Sequence, residues 1–256
     1  MKIAIASYAC GSSHYIERAE RSYRDNWLYW CERHGYKCFF YSEPLDPTMH
    51  RSNLQMQKLL IFDKLRSFDA VIYIDNDIVI NPNAPPFPIA RPDRLLRAVP
   101  HIPWEGVQGY ANRFGLKFSS LAIPFGGVTC LSDKKDYELM KKIYFGKELD
   151  QDHPIHSPDM LLVGMPFLKS GRIQWIDQRW NYVPNQAAEL PKPRYLSLPM
   201  PGRVRSFLEK SNLQSPRSRA FITRNLSNCF FMHFAGDLKP YIPLAVEAAI
   251  ALRPCV

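Results

Sequence analysis

Short apolar runs alternate with longer amphipathic stretches through the N-terminal half of the chain. Ile3-Ala4-Ile5-Ala6-Ser7 reads as a strand, because small and branched residues follow one another without a helical period. Tyr15 to His34 is a polar-aromatic stretch of helical length. Gly35 supplies its stop, since glycine adopts the left-handed backbone that ends a helix. Tyr36-Lys37-Cys38-Phe39-Phe40-Tyr41 is a second strand. Leu54 to Leu65 repeats at helical spacing, with Leu59, Phe62 and Leu65 on one face. Ala70-Val71-Ile72-Tyr73-Ile74 is again crowded with branched residues and too short for a lone helix. Alternating strands and helices predict an α/β protein with a mostly parallel central sheet flanked by helices, in which ligands bind at the carboxyl ends of strands.

Farther along, Asn81 to Pro103 is rich in proline and arginine and is expected to be irregular. Trp104, Tyr110 and Phe114 stand among glycines between Pro100 and Phe118, which suits a loop over a site. Leu121 to Phe125 enters a turn at Gly126-Gly127. Asp136 to Tyr144 is a helix candidate, and Asp159 stands in the first turn of a further helix. His153 and His156 have metal-ligand spacing, but the prolines between and after them favour a loop. No internal repeat and no second domain is evident.

The chemistry concentrates where the third strand ends. Asp75 and Asp77 follow an apolar run and precede another, Ile78-Val79-Ile80. Carboxylates in such a place are costly to desolvate unless cations or hydrogen bonds compensate them. On extended backbone, residues i and i+2 point to one side, so both carboxylates converge on one ion while Asn76 points away. Hard oxygen ligands suit Mg²⁺ or Mn²⁺. A distant segment complements them: Phe230-Phe231-Met232-His233-Phe234-Ala235-Gly236-Asp237-Leu238-Lys239-Pro240 ends an aromatic strand in a histidine. His233 offers an imidazole to a divalent ion, Gly236 allows close backbone approach, and Lys239 is a point charge for a phosphate.

Asp-x-Asp followed by His-x-x-Gly-x-x-Lys-Pro resembles the retaining GT-A glycosyltransferases of the family that contains glycogenin and the lipopolysaccharide α-galactosyltransferases. The resemblance spans nearly the whole chain. Lys58 matches a basic residue on the helix before the metal strand, and Phe125-Gly126-Gly127-Val128 an Asn-Ala/Ser-Gly-Val segment. Ser157-Pro158-Asp159-Met160-Leu161-Leu162 resembles an Asp-Gln-x-x-Leu helix, and Trp180-Asn181 a Trp-Asn pair. Phe125, Met160 and Tyr241 depart from the pattern, at positions where relatives carry Asn, Gln and Trp.

The resemblance implies a single Rossmann-like GT-A domain over residues 1–256. Residues 1–118 would mainly bind nucleotide and metal, and 119–256 mainly sugar and acceptor. It further implies transfer of a hexose, galactose or glucose, from a UDP-sugar to a hydroxyl with retention of configuration. Asp75, Asp77 and His233 would hold Mn²⁺ or Mg²⁺. Ser7, Tyr8, Tyr15, Lys58, Asn76, Gly126, Gly127, Gly236 and Lys239 would contact the donor, and Asp159 would serve catalysis at the sugar. Other readings of the same residues are an inverting GT-A transferase, with Asp152 or Asp159 as base, a sugar-phosphate nucleotidyltransferase, and a non-catalytic nucleotide-sugar-binding module.

Bulk properties narrow this picture. A hydrophobic content of 46% and charged content of 22% are ordinary for a globular protein. No apolar run approaches the roughly 20 residues of a membrane span, and the N-terminus lacks a signal-peptide pattern, so a cytoplasmic protein is expected. The six cysteines show no paired ligand spacing and should be reduced. The net charge of +9 is uneven: Lys192, Arg194, Arg203, Arg205, Lys210, Arg217, Arg219 and Arg224 face only Glu209. No nucleic-acid module accompanies this stretch, so the expected partners are a nucleotide sugar, a glycan or glycolipid acceptor of anionic character, or a peripheral membrane surface.

Overall fold

The computed structural model describes residues 1–10, 14–48, 54–89, 94–98, 126–146, 163–184 and 215–254. In chain order the strands are β1 (Ile3–Tyr8), β2 (Lys37–Tyr41), β3 (Ala70–Ile74), β4 (Ile78–Ile80), β5 (Leu95–Ala98), β6 (Val128–Leu131), β7 (Ile173–Ile176) and β8 (Phe231–His233). The α-helices are α1 (His14–His34), α2 (Ile61–Lys64), α3 (Lys134–Phe145), α4 (Gly164–Lys169), α5 (Pro216–Asn228) and α6 (Ile242–Ala251). Two compact units are interleaved along the chain. One comprises Met1–Gly11, Tyr36–Asp75 and Phe87–Gln178; the other comprises Ser12–Gly35, Asn76–Pro86 and Arg179–Val256.

The first unit is built on a six-stranded sheet of order β2-β1-β3-β6-β5-β7. Strands β1, β2 and β3 are mutually parallel, as are β5 and β7, and only β6 runs against its neighbours. Strand β3 is wholly buried, which is why its sequence is continuously apolar and does not alternate. Met56, Leu59, Phe62 and Leu65 pack with Tyr137, Met140 and Tyr144 in one core beside β1 and β3.

Two sequence expectations need correction. Leu54 to Leu65 is not one regular helix: Leu54–Leu60 winds as a 3₁₀ helix before the single turn of α2. The tighter winding eclipses residues three apart, and a tertiary polar contact holds it. Buried Gln57 accepts through Oε1 from the backbone N–H groups of Leu45 and Asp46 at 2.6 and 3.0 Å. The stretch from Asn81 to Pro103 is not irregular throughout, because β5 lies within it. Four residues are too few to show a period, and their pairing with β7 is non-local.

In the second unit β4 and β8 pair antiparallel, with Ile78 opposite His233 and Ile80 opposite Phe231. Helix α1 covers the free edge of β4 with polar side-chain atoms. Asn26 both donates to the Ile80 carbonyl (2.7 Å) and accepts from its N–H (2.9 Å), while the Trp27 indole donates to the Ile78 carbonyl (2.9 Å). An exposed strand edge is thereby closed without a further strand. Trp30, Trp180, Phe230 and Phe231 form the aromatic core of this unit, with Trp180 lying 4.7 Å from Phe230 and 5.1 Å from Phe231 between ring centroids. Helix α1 ends at Gly35, whose φ of +70° confirms the expected stop. Ser215 caps α5 and Pro216 opens it, so the last part of the basic stretch is helical, with Arg219 paired to Glu247 at 3.1 Å.

All five described cysteines are free thiols. Burial pushes the Cys130 and Cys229 thiols far up, so they behave as small apolar core residues. No helix among the described residues is long and apolar enough to cross a membrane.

Candidate active site

Asp75 directly follows β3, and its N–H donates to the Gly127 carbonyl at 2.7 Å, one step beyond the β3–β6 ladder. Gly127 has φ +87°, a left-handed conformation that suits glycine, so the Gly126-Gly127 bend sits at the base of Asp75. Tyr73, two residues earlier on the same side of β3, donates its hydroxyl to Asp75 Oδ1 at 2.7 Å. Lys58, from the 3₁₀ segment, reaches the same oxygen at 3.3 Å and lies 5.3 Å above the Tyr73 ring. Asp75 is thus a carboxylate with two local partners, still partly open to solvent.

The backbone does not remain extended through Asp77, as the alternation argument assumed. It turns at Asn76-Asp77 and continues as β4 in a different sheet. What holds Asp77 is a set of three chain segments in the second unit. The Asp77 carbonyl accepts from the Phe234 N–H, and the Tyr182 carbonyl accepts from the His233 N–H, both at 2.8 Å. Tyr182 also bridges Met232. Residues 77–80, 181–182 and 231–234 are therefore in fixed register, and their side chains meet by construction.

Three contacts define the cluster. His233 Nε2 lies 3.0 Å from Asp77 Oδ1, and Lys239 Nζ lies 3.4 Å from Asp77 Oδ2. His233 Nδ1 lies 2.9 Å from Asn181 Oδ1. Lys239 belongs to a 3₁₀ turn, Gly236–Tyr241, that begins at Gly236. Asp77, Asn181 and His233 are all buried. Burial on its own would raise the Asp77 carboxyl, but the charges and hydrogen-bonding groups of His233 and then Lys239 outweigh it and hold the group at about 2. A depressed carboxyl stabilises the fold above its unfolded value and loses that contribution as pH falls through the folded one. Asp77 is accordingly a permanent anion at any neutral pH.

One oxygen here is incompletely satisfied. Asp77 Oδ1 is buried without a well-formed hydrogen bond, and His233 Nε2 lies 3.0 Å from it. Only Asn76 separates the two aspartates along the chain. A buried carboxylate oxygen and an imidazole nitrogen 3.0 Å apart suit a divalent ion of the Mg²⁺ or Mn²⁺ class.

The remaining candidates are placed as follows. Ser7 is buried on β1, its Oγ without a hydrogen-bond partner. Tyr8 is buried and donates to Gln57 Oε1 at 3.3 Å; burial, with Cys10 beside it, pushes its hydroxyl far up. Asn76 is half-buried at the turn. Asp159, the side chain of Tyr15, Phe125, Met160, His153, His156 and residues 192–214 lie outside the described residues. Asn181 was not singled out as a site residue; its only signal in the sequence is the Trp180-Asn181 pair.

No protein-family model and no curated protein matches the chain. Solved structures do. A glycosyltransferase involved in glycosylation of the major capsid of PBCV-1 aligns at 15% identity over 98% of each chain, with a TM-score of 0.55. The galactosyltransferase LgtC, solved with donor and acceptor sugar analogs, aligns at 13% identity over 100% of this chain and 98% of its own, with a TM-score of 0.52. The glycosyltransferase GlyE of Streptococcus pneumoniae TIGR4 aligns at 13% identity and a TM-score of 0.51, over 98% of this chain and 60% of its own. The fold is the GT-A fold of glycosyltransferases. At these identities the likeness is one of architecture, and the chemistry has to be argued from the residues.

Proposed function

We propose that this chain is a metal-dependent glycosyltransferase that moves a hexose from a UDP-sugar to an acceptor hydroxyl with retention of configuration. The observation that carries this reading is the buried Asp77–His233 pair with its unsatisfied carboxylate oxygen, two residues on from Asp75 in a GT-A fold. Asp75, Asp77 and His233 would hold Mn²⁺ or Mg²⁺. When bound, the ion supplies Lewis-acid neutralisation of the charge that develops on the departing diphosphate. Lys239 is partly exposed and already oriented to the cluster, so it would grip the same diphosphate. Gly236, without a side chain, would let its backbone approach a phosphate oxygen closely. Lys58 and Asp159 would contact the sugar, and Ser7, Tyr8 and Tyr15 the nucleoside.

The test is a product assay with a panel of UDP-hexoses and Mn²⁺, followed through slow donor hydrolysis where no acceptor is present. UDP and free hexose are the expected products. Release of pyrophosphate from a sugar phosphate and UTP would instead identify a nucleotidyltransferase, and a product of inverted anomeric configuration would overturn retention. Asp159→Asn is expected to lower hydrolysis at least about 100-fold, the range of a positioned acid–base group, while UDP affinity stays near wild type. Equal losses in turnover and UDP affinity would mark Asp159 as structural.

A further inference from the structure

We infer that Tyr73 is a positioning residue: its hydroxyl fixes the Asp75 carboxylate by one oxygen and leaves the other to a divalent ion. This rests on the metal-site reading above and adds to it a residue that acts through Asp75. A phenol hydroxyl beside a carboxylate is the donor, and the Tyr73 hydroxyl lies 2.7 Å from Asp75 Oδ1. Lys58 Nζ approaches the same oxygen at 3.3 Å. Both contacts fall on Oδ1, and Oδ2 has no partner among the described residues. The Asp75 side chain is 23% exposed, so Oδ2 is the oxygen that a ligand can meet.

Every part of this arrangement belongs to the first compact unit and is held there. The Asp75 N–H donates to the Gly127 carbonyl at 2.7 Å, which pins the main chain at the end of β3. Tyr73 is buried on β3 in the core that contains Met56, Leu59 and Phe62, and Lys58 Nζ lies 5.3 Å above its ring. A phenylalanine would fill the same place, so packing alone does not call for the hydroxyl. A buried tyrosine hydroxyl needs a hydrogen-bond partner, and this one is aimed at the carboxylate where the strand ends.

The hydroxyl also changes what Asp75 can do. The terminal torsion of an aspartate is broad and roughly two-fold, so its two oxygens exchange unless a donor selects one. With Oδ1 taken by a rigid donor, the carboxylate is oriented before any ligand arrives. Ligating carboxylates are themselves hydrogen-bonded as a rule, and loss of such a partner typically weakens metal binding by about 10–100-fold.

Tyr73→Phe keeps the ring and removes only the hydroxyl. Calorimetry of the full chain with Mn²⁺ alone should show affinity about 10–100-fold weaker in this variant, with only a small loss of melting temperature. Tyr144→Phe is the control. It loses a tyrosine–aspartate hydrogen bond of the same length in the same core, 2.7 Å to Asp46 Oδ2, and should leave Mn²⁺ affinity unchanged. Equal Mn²⁺ affinity in wild type and Tyr73→Phe, or equal losses of affinity in the two phenylalanine variants, would overturn the inference. A wild type that binds no Mn²⁺ would overturn the metal reading instead, and thermal melts would still decide whether Tyr73 fixes Asp75. Tyr73→Phe should lower the melting temperature less in an Asp75→Ala background than in the wild type, whereas equal lowering would place the hydroxyl out of contact with Asp75.

Discussion

Asp77→Asn is expected to abolish metal-dependent UDP binding while the chain stays folded. The substitution preserves volume, so the core around β4 and β8 is undisturbed and only the charge is removed. Loss of a partner behind a ligand costs about 10–100-fold in metal affinity, and loss of the ligand's own charge should exceed the upper end of that range. Breaking a buried ion pair often costs about 3–5 kcal/mol, because the surviving charge is left unpaired. Lys239 softens that cost, since its side chain is 29% exposed and can turn to water, whereas His233 is buried and stays beside the neutral amide. Calorimetry with UDP and Mn²⁺, run beside a thermal melt, separates the two effects. A folded variant with unchanged UDP affinity in Mn²⁺ would remove Asp77 from the site.

Trp180→Ala should be the most damaging single change to stability in the second unit, at about 3–5 kcal/mol. Trp180 is 3% exposed and its ring meets Trp30, Phe230 and Phe231, so truncation leaves a cavity that three other rings line. A transfer-free-energy loss is compounded by that cavity, which the rigid rings cannot collapse to fill. Urea denaturation followed by far-ultraviolet circular dichroism would read the shift in midpoint. A loss under about 1 kcal/mol, the typical figure for an arbitrary substitution, would mean that the cluster contributes packing without much stability. Because Asn181 follows Trp180 directly, the same variant should also loosen the His233 ring.

The first sheet was legible because its strands carry a short-range signal. β1, β2 and β3 are crowded apolar runs, and helix α1 stops at a glycine whose backbone needs a left-handed conformation. β5 was not legible, since Leu95–Ala98 has no pattern of its own and exists by pairing with β7. The 3₁₀ winding of Leu54–Leu60 was missed for a similar reason: the backbone groups of Leu45 and Asp46 that bind Gln57 lie outside the segment and leave no mark on its periodicity.

At the site, the residue types were readable and the geometry was not. Asp75, Asp77, His233 and Lys239 announced themselves as charges interrupting apolar segments. The inference that the two aspartates converge by strand alternation was wrong in mechanism, for the chain turns between them and passes from one sheet to another. Asn181 was legible only as half of the Trp180-Asn181 pair, because its contact with His233 depends on a backbone register set by Tyr182, Phe231 and His233.

The central claim is that the acidic pair and His233 bind a nucleotide diphosphate through a divalent ion, and one titration tests it most directly. UDP is titrated calorimetrically into the full chain in Mn²⁺ and again with a chelator in place of the metal. The account predicts saturable binding in Mn²⁺ that the chelator abolishes. Equal affinity in both conditions, or no binding in either, would contradict it.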